Sequence, residues 1–398
     1  MVVPPSPVTS KSPIPVAHVA AWIQSIGGVE TLLRYHRQCD TRAGLAASQI
    51  ALFDKTAIPD EPTYSTQRFS GWFTPHRMRR NLRETFGRMP ESVVLWHNGW
   101  GLPWFADGDR SRRRIVCWWD SQTHWGPWLE AVKPWVDGVI CMSDAAADHV
   151  GVLWPELPAE RRGVMRVPIE PPSGLGHRPE RSGEWVIGCA GRLVHAQKRA
   201  DRLVPFVAAL KKLGVPFRIE VVSDGPLRER LQRELSGEPS VQFLGWQSGD
   251  DYWRRVQGWD AMVSFTDHEG GPIVMLEAMA AGALPGFPSI GGSLVADYLP
   301  GLDPNCLYPP GEIVTAAARM HALMTMRADD LTRLRQRAQQ IAQAHTVGRY
   351  HDAFAAFVRR IDCMPRISQP PQKQRGIKLT DFCPLGALTR CSRRSLWQ

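Results

Sequence analysis

The chain has 398 residues, 43% hydrophobic and 22% charged, with a formal net charge of +9. At roughly 100–200 residues per domain, this length predicts two domains of ordinary globular composition, not a fibrous or wholly disordered chain. No run of about 18 apolar residues occurs, so no membrane-spanning helix is expected. None of the eight cysteines form a C-x-x-C pair, which argues against a zinc site or a disulfide framework.

The first 15 residues, MVVPPSPVTSKSPIP, are rich in proline. They lack an apolar core long enough for a signal peptide and read as a disordered leader, so a cytoplasmic protein is expected. VAHVAAWI (16–23) then reads as a strand, Gly27–Gly28 as a turn, and Val29 to about His36 as a helix. Strand, glycine turn and helix open a doubly wound α/β domain. SVVLWH (92–97), RIVCWW (114–119) and GVICMS (138–143) read as further strands. Of the adjacent Trp118 and Trp119, one must point inward. Residues 144–154 read as a helix capped by Ser143 or Asp144. PIEPPSGLGHRP (168–179) has the composition of a linker.

After the linker the same grammar restarts. Strands are predicted at 185–192, 217–225, 241–246 and 261–266, alternating with helices at 200–214, 227–235, 250–259 and 274–282. From about Pro310 to Ile361 the chain reads as mostly helical. The fold class is therefore α/β, with Rossmann-like domains at 16–167 and 181–345 joined by a linker at 168–180. A helix at 346–361 is expected to pack back toward the first domain. Residues 362–398 carry seven Lys/Arg against two Asp and read as a basic, disordered tail.

Chemistry concentrates in HEGGPIVMLEAMAAG (268–282). Glu269 lies in a glycine turn after a strand, and Glu277 about one turn inside the following helix. Gly270 and Gly271 allow close approach of a ligand to the backbone, and Pro272 and Ile273 begin the helix. Free N–H groups at that helix start can hold phosphate oxygens. Glu277 can accept hydrogen bonds from a ribose diol, and Glu269 can reach a sugar hydroxyl. Upstream, GRLVHAQKRADRLV places Arg192 and Lys198 after a strand.

The 268–282 stretch resembles the E-x7-E signature of retaining glycosyltransferases, especially the family 4 type (glycosyl transferases group 1), and Arg192 and Lys198 resemble that family's diphosphate-binding cations. The resemblance is specific mainly in residues 185–292. It implies the GT-B fold, two Rossmann-like domains around a cleft with the donor site in the C-terminal one. It also implies sugar transfer from a nucleotide-diphosphate sugar with retention of configuration and without a metal; no D-x-D motif stands in a credible loop. Gly245 and Trp246 resemble the strand and turn that hold the nucleotide base. Gly27 and Gly28 resemble the glycine loop facing the diphosphate from across the cleft. WHNGW (96–100) resembles a D-x-x-H-x-H region, with His97 in place. His124 is the candidate contact to the donor sugar near its anomeric carbon, and Trp100, Trp104 and Trp125 are candidate acceptor contacts. Two departures occur: Gly286 and Pro288 interrupt the strand after the glutamate helix, and no glutamate follows Gly292.

No cofactor is implied besides the nucleotide-sugar donor. The expected partners are that donor and a glycan, lipid or small-molecule acceptor. Contact between the basic tail and an anionic membrane, at the inner face, is a further expectation, and nucleic acid is not expected. The rival readings are a nucleotide-sugar epimerase of the same fold and a non-catalytic sugar-nucleotide-binding homologue. A nicotinamide dehydrogenase would need a G-x-G-x-x-G after the first strand, which is absent.

Overall fold

Buried runs such as VVLWH and WVIGCA form parallel strands covered on both faces. The computed structural model describes residues 12–24, 27–58, 61–90, 93–99, 101–102, 112–119, 129–130, 132–175, 183–291, 293–367 and 382–384. His124, Trp100, Trp104 and Trp125 lie outside them. The first sheet has the order β3-β2-β1-β4-β5-β6-β7 and is parallel throughout. Its strands are β1 (Ile14–Ala20), β2 (Leu45–Ala51), β3 (Tyr64–Thr66), β4 (Val93–His97), β5 (Arg114–Trp118), β6 (Gly138–Cys141) and β7 (Arg162–Val164). Helices α1 (Gly28–Cys39), α2 (Pro75–Gly87) and α3 (Asp144–Leu153) flank it. Ser143 caps α3, its hydroxyl accepting from the Ala146 N–H at 3.1 Å. Trp118 and Trp119 are both buried, in separate core clusters.

The second sheet has the order β10-β9-β8-β11-β12-β13 and is also parallel. It comprises β8 (Trp185–Ala190), β9 (Phe217–Val222), β10 (Val241–Phe243), β11 (Ala261–Val263), β12 (Leu284–Pro288) and β13 (Leu307–Tyr308). Its helices are α4 (Leu203–Lys211), α5 (Arg228–Glu234), α6 (Gly249–Gln257), α7 (Ile273–Ala280), α8 (Ser293–Tyr298), α9 (Ile313–Met324) and α10 (Ala328–Gln343). The strand holding Gly286 and Pro288 forms nonetheless, because the Gly286 carbonyl accepts from the Ser264 N–H at 3.0 Å and the strand is wholly buried.

Helix α11 (Val347–Cys363) closes the core of the first domain from the far end of the chain. Its Phe357 fills the space over Gly163, where a Cβ would lie 2.8 Å from the ring. The two crossings between domains run side by side, the Ile169 N–H donating to the His345 carbonyl at 2.8 Å. Two expected boundaries shift. The strand begins at Ile14, inside the predicted leader. At the other end, Met364–Ile367 dock on the first domain: Arg113 donates to the Met364 carbonyl at 2.6 Å, and the Ile367 N–H donates to Asp137 at 3.2 Å. Residues 362–367 therefore belong to the folded chain and not to the predicted tail.

A chain of buried polar groups ties α11 to the first sheet. The Trp119 indole N–H donates to Nδ1 of His97 at 2.7 Å, and Nε2 of His97 lies 2.9 Å from Nδ1 of His18. Nε2 of His18 and Nδ1 of His36 each lie 2.9 Å from Asp40, and Nε2 of His36 lies 2.9 Å from the Tyr350 hydroxyl. An indole N–H can only donate, which fixes the polarity of the whole chain. His97 then donates to His18, and His18 and His36 donate to the Asp40 carboxylate. His18, His36 and Asp40 are close enough to suggest a metal site. In this arrangement, however, the nitrogens that face Asp40 are protonated and cannot ligate. His97, in place in the stretch that resembles D-x-x-H-x-H, is buried among these groups.

Burial pushes His36 down to about 4, against the pull of Asp40, and lowers His97 as well. In the unfolded chain these rings take up protons below about 6.5. Between that value and about 4 the unfolded state binds more protons, so stability falls as pH falls. Thermal melts should show the melting temperature beginning to drop near pH 6.5, above the range of ordinary carboxylates. A flat profile down to about pH 5 in a Glu277→Gln background, which removes the opposing titration of that raised carboxyl, would mean that the histidines are not held neutral.

Candidate functional site

The predicted site residues gather at the C-terminal ends of parallel strands, where α/β folds bind ligands. Gly27 and Gly28 follow β1, Arg192 follows β8, Gly245 and Trp246 follow β10, and Glu269 follows β11. The loop ahead of Gly27 is held by Asp54, whose carboxylate accepts from the N–H groups of Ile23 and Gln24 at 2.9 and 3.0 Å. Helix α1 then starts at Gly28, and a Cβ there would lie 3.6 Å from Cδ1 of Ile273. The glycine loop of the first domain therefore meets the start of α7 in the second.

Lys198 forms an ion pair and hydrogen bond with Glu269. Arg192 is exposed and donates to Gln197 at 3.1 Å. The loop carrying both cations is laced to the glutamate loop. The Gln197 carbonyl accepts from the Asp267 N–H at 3.0 Å and from the Thr266 hydroxyl at 3.1 Å. Arg199 and Arg202 both donate to the Asp267 carboxylate, at 2.8 and 2.5 Å. Arg199 has a φ of 47°, a left-handed conformation that is costly for a non-glycine residue and is held here by its two carboxylate partners, Asp201 and Asp267. None of these supporting residues was singled out from the sequence. The ion pairs to Asp267 cross 65 and 68 positions of chain, beyond the reach of local pattern.

Gly270 and Gly271 are demanded by the opposite domain. A Cβ on Gly270 would stand 2.1 Å from the Trp119 carbonyl, and one on Gly271 would stand 2.3 Å from the end of Met142. The domains also meet at Asp297, whose carboxylate accepts from the Asp144 N–H at 2.7 Å, at the start of α3. Tyr298 donates to the Met142 carbonyl at 3.1 Å.

Pro272 is the N-cap of α7, one position before the helix proper, and Ile273 is its first residue. Glu277 follows about one turn inside, where Oε2 accepts from the Tyr252 hydroxyl at 2.6 Å. Burial pushes the Glu277 carboxyl up to about 7, while the Tyr252 hydrogen bond and the charge of Arg34 pull the other way. Burial, then the charge of Glu277, pushes Tyr35 up to about 12. Arg34 and Tyr35 belong to α1, so the first domain faces Glu277 directly. Tyr252 was missed because it sits in α6, 25 positions away. Gly245 turns the chain with a φ of 73°, and Trp246 beside it is 49% exposed, an open indole face.

The site is thus a seam between two domains, with a Lys–Glu pair, a second carboxylate of raised pKa, an exposed Arg and an exposed Trp around a helix N-terminus. It can hold a diphosphate at the cations, a diol at the carboxylate and an aromatic base on the indole. Residues 184–326 match the family model described as Glycosyl transferases group 1. A GDP-mannose-dependent alpha-(1-6)-phosphatidylinositol dimannoside mannosyltransferase of Mycobacterium tuberculosis is 35% identical over 96 residues, 23% of this chain. The match spans about a quarter of that relative's length, 24%. Among solved structures, a sucrose-phosphate synthase from Thermosynechococcus elongatus superposes with a TM-score of 0.69 at 15% identity, over 88% of this chain and 99% of its own. The pneumococcal O-GlcNAc transferase GtfA, in complex with UDP and GlcNAc, gives 0.68 at 11% identity, over 88% and 99%. The fold is the GT-B arrangement of two Rossmann-like domains, and the match to the glycosyl transferases group 1 model falls in the second of them.

Proposed function

We propose that this protein transfers a sugar from a nucleotide-diphosphate sugar to a glycan, lipid or small-molecule acceptor, with retention of anomeric configuration. The observation that carries the reading is the contact of Lys198 with Glu269. It sets a cation for the leaving diphosphate directly beside a carboxylate for the transferred sugar. Arg192 adds charge on the phosphate side. Gly270, Gly271 and the free N–H groups at the start of α7 take phosphate oxygens, with Gly27 and Gly28 closing from the first domain. Glu277 takes the ribose hydroxyls and Trp246 the base. These cations do the work that a metal ion does in other transferases, by stabilising charge as it develops. Retention rests on the E-x7-E pattern, and the sugar contact of His124 on sequence alone. The match to a mannosyltransferase named for a phosphatidylinositol dimannoside favours a lipid acceptor within this reading.

The test is a thermal-shift screen against UDP- and GDP-sugars, followed by assay of the released nucleotide. Binding to the native state raises apparent stability by about 2.7 kcal/mol at a hundredfold excess over Kd. One nucleotide class should raise the melting temperature, and free nucleoside diphosphate should appear in step with the transferred sugar. Conversion of the donor without released diphosphate would point to an epimerase and overturn the reading.

A further inference from the structure

The positive charge of the first domain is concentrated around α2. Residues 68–88 hold six arginines against one glutamate, in a chain whose whole net charge is +9. The helix is amphipathic. Pro75, Met78, Leu82 and Phe86 face the core, and Arg77, Arg80, Arg83 and Arg88 face solvent. None of those four exposed arginines pairs with an acidic group among the described residues, whereas other surface arginines such as Arg230 and Arg333 do. Just ahead of the helix, Trp72 is 86% exposed, the most open of the large apolar side chains described. Burial in the protein cannot explain an indole in that position. Phe73 beside it lies under the Arg77 guanidinium, 4.3 Å from ring centre to Cζ, which joins the aromatic and basic parts into one patch.

A second segment reaches the same place. Phe382, 53% exposed, stacks on His76 of α2 with ring centres 5.1 Å apart. Two exposed aromatic side chains therefore flank a face on which exposed arginines outnumber the single Glu84. Exposed aromatics with unpaired arginines fit a membrane interface, where indole rings settle at headgroup level and arginine pairs with lipid phosphate. No described helix is long and apolar enough to cross a membrane, so attachment would be peripheral.

We propose that this face, built from Trp72, the solvent side of α2 and Phe382, docks on an anionic lipid surface. The inference does not depend on the catalytic reading, because its readout is binding. If that reading also holds, docking would bring the cleft to an acceptor held in the membrane. The sequence-based expectation placed membrane contact in the tail alone; the geometry extends it to α2.

The experiment is co-sedimentation of the full chain with vesicles of phosphatidylcholine alone and with about one third phosphatidylglycerol. Binding to the anionic vesicles only, weakening with salt, is expected. Arg77→Glu/Arg80→Glu/Arg83→Glu should weaken it about 100-fold, and Trp72→Ala about tenfold. Arg319→Glu/Arg333→Glu, on exposed faces of the second domain, should leave it unchanged. Melting temperature and thermal shift with the donor report folding and the donor site independently of the vesicles. Equal binding to both vesicle types would overturn the proposal. So would full binding by the folded triple variant, or loss of binding on deleting residues 368–398 while the α2 variants still bind. Preference for RNA over anionic vesicles would make the face a nucleic-acid surface and equally overturn it.

Discussion

Lys198→Ala is expected to lower kcat/KM by about 100- to 1,000-fold, the range seen when one preorganised donor to a developing negative charge is removed. The ammonium sits against Glu269 and is partly open to solvent, 24% for the lysine and 13% for the glutamate. Removing the ammonium leaves Glu269, mostly shielded from solvent, without its partner, so a modest fall in melting temperature is expected beside the much larger loss of activity. Activity differs from stability here because charge on the diphosphate grows as the glycosidic bond breaks. A cation at that position binds the transition state more tightly than the ground state. Steady-state kinetics at several donor concentrations test this, with thermal melts as the folding control. Turnover at the wild-type level in a folded variant would remove Lys198 from the site. A drop in activity that tracks a drop in melting temperature would make its role structural.

The elements legible in the sequence were those whose residues announce burial or a turn. WVIGCA, VVLWH and GVIC are apolar runs of strand length, and each forms a strand buried on both faces. The glutamate helix was legible from its two flanking glycines and its proline. β2 was not, because LAASQIA is poor in branched and aromatic residues and carries a buried glutamine. That glutamine, Gln49, donates to the Leu33 carbonyl at 2.7 Å, so tertiary contact compensates what local propensity lacks. β3 and β7, three residues each, are too short to show a period. In the site, Glu269 and Glu277 stood out as charges among glycines and apolar residues, and Arg192 and Lys198 through the family resemblance. Tyr252, Asp267 and Arg199 did not, since their importance lies in whom the sheet brings beside them. The surroundings of His97 were hidden for the same reason: its strand position was legible, but the two histidines that make it a core group, His18 and His36, come from other elements.

The two glutamates should fail in different ways when each is changed to glutamine. Glu277 sits with Tyr252 at the place proposed for the ribose, away from the bond that breaks. A hydrogen bond to a charged group contributes about 1.5–3 kcal/mol. Its loss acts on ground state and transition state alike, so donor KM should rise about 10- to 100-fold with a small change in kcat. The pH dependence gives a second signature. With its carboxyl pushed up to about 7, Glu277 is ionised above that pH and protonated below it. In the proposed pose the carboxylate accepts from the ribose hydroxyls, so donor KM should rise as pH falls through about 7. Glu277→Gln has no such proton, and its donor KM should be flat over the same range. Glu269 contacts Lys198 and is proposed to hold the transferred sugar. Misplacing a reacting centre by about 1 Å can cost about 100-fold. Glu269→Gln should therefore lower kcat by about that factor, with donor KM little changed. Both substitutions keep side-chain volume, and circular dichroism checks that both variants fold. If each folded variant keeps the wild-type kcat and KM, neither carboxylate touches a donor. The cleft would then have to be explained by some ligand other than a nucleotide sugar.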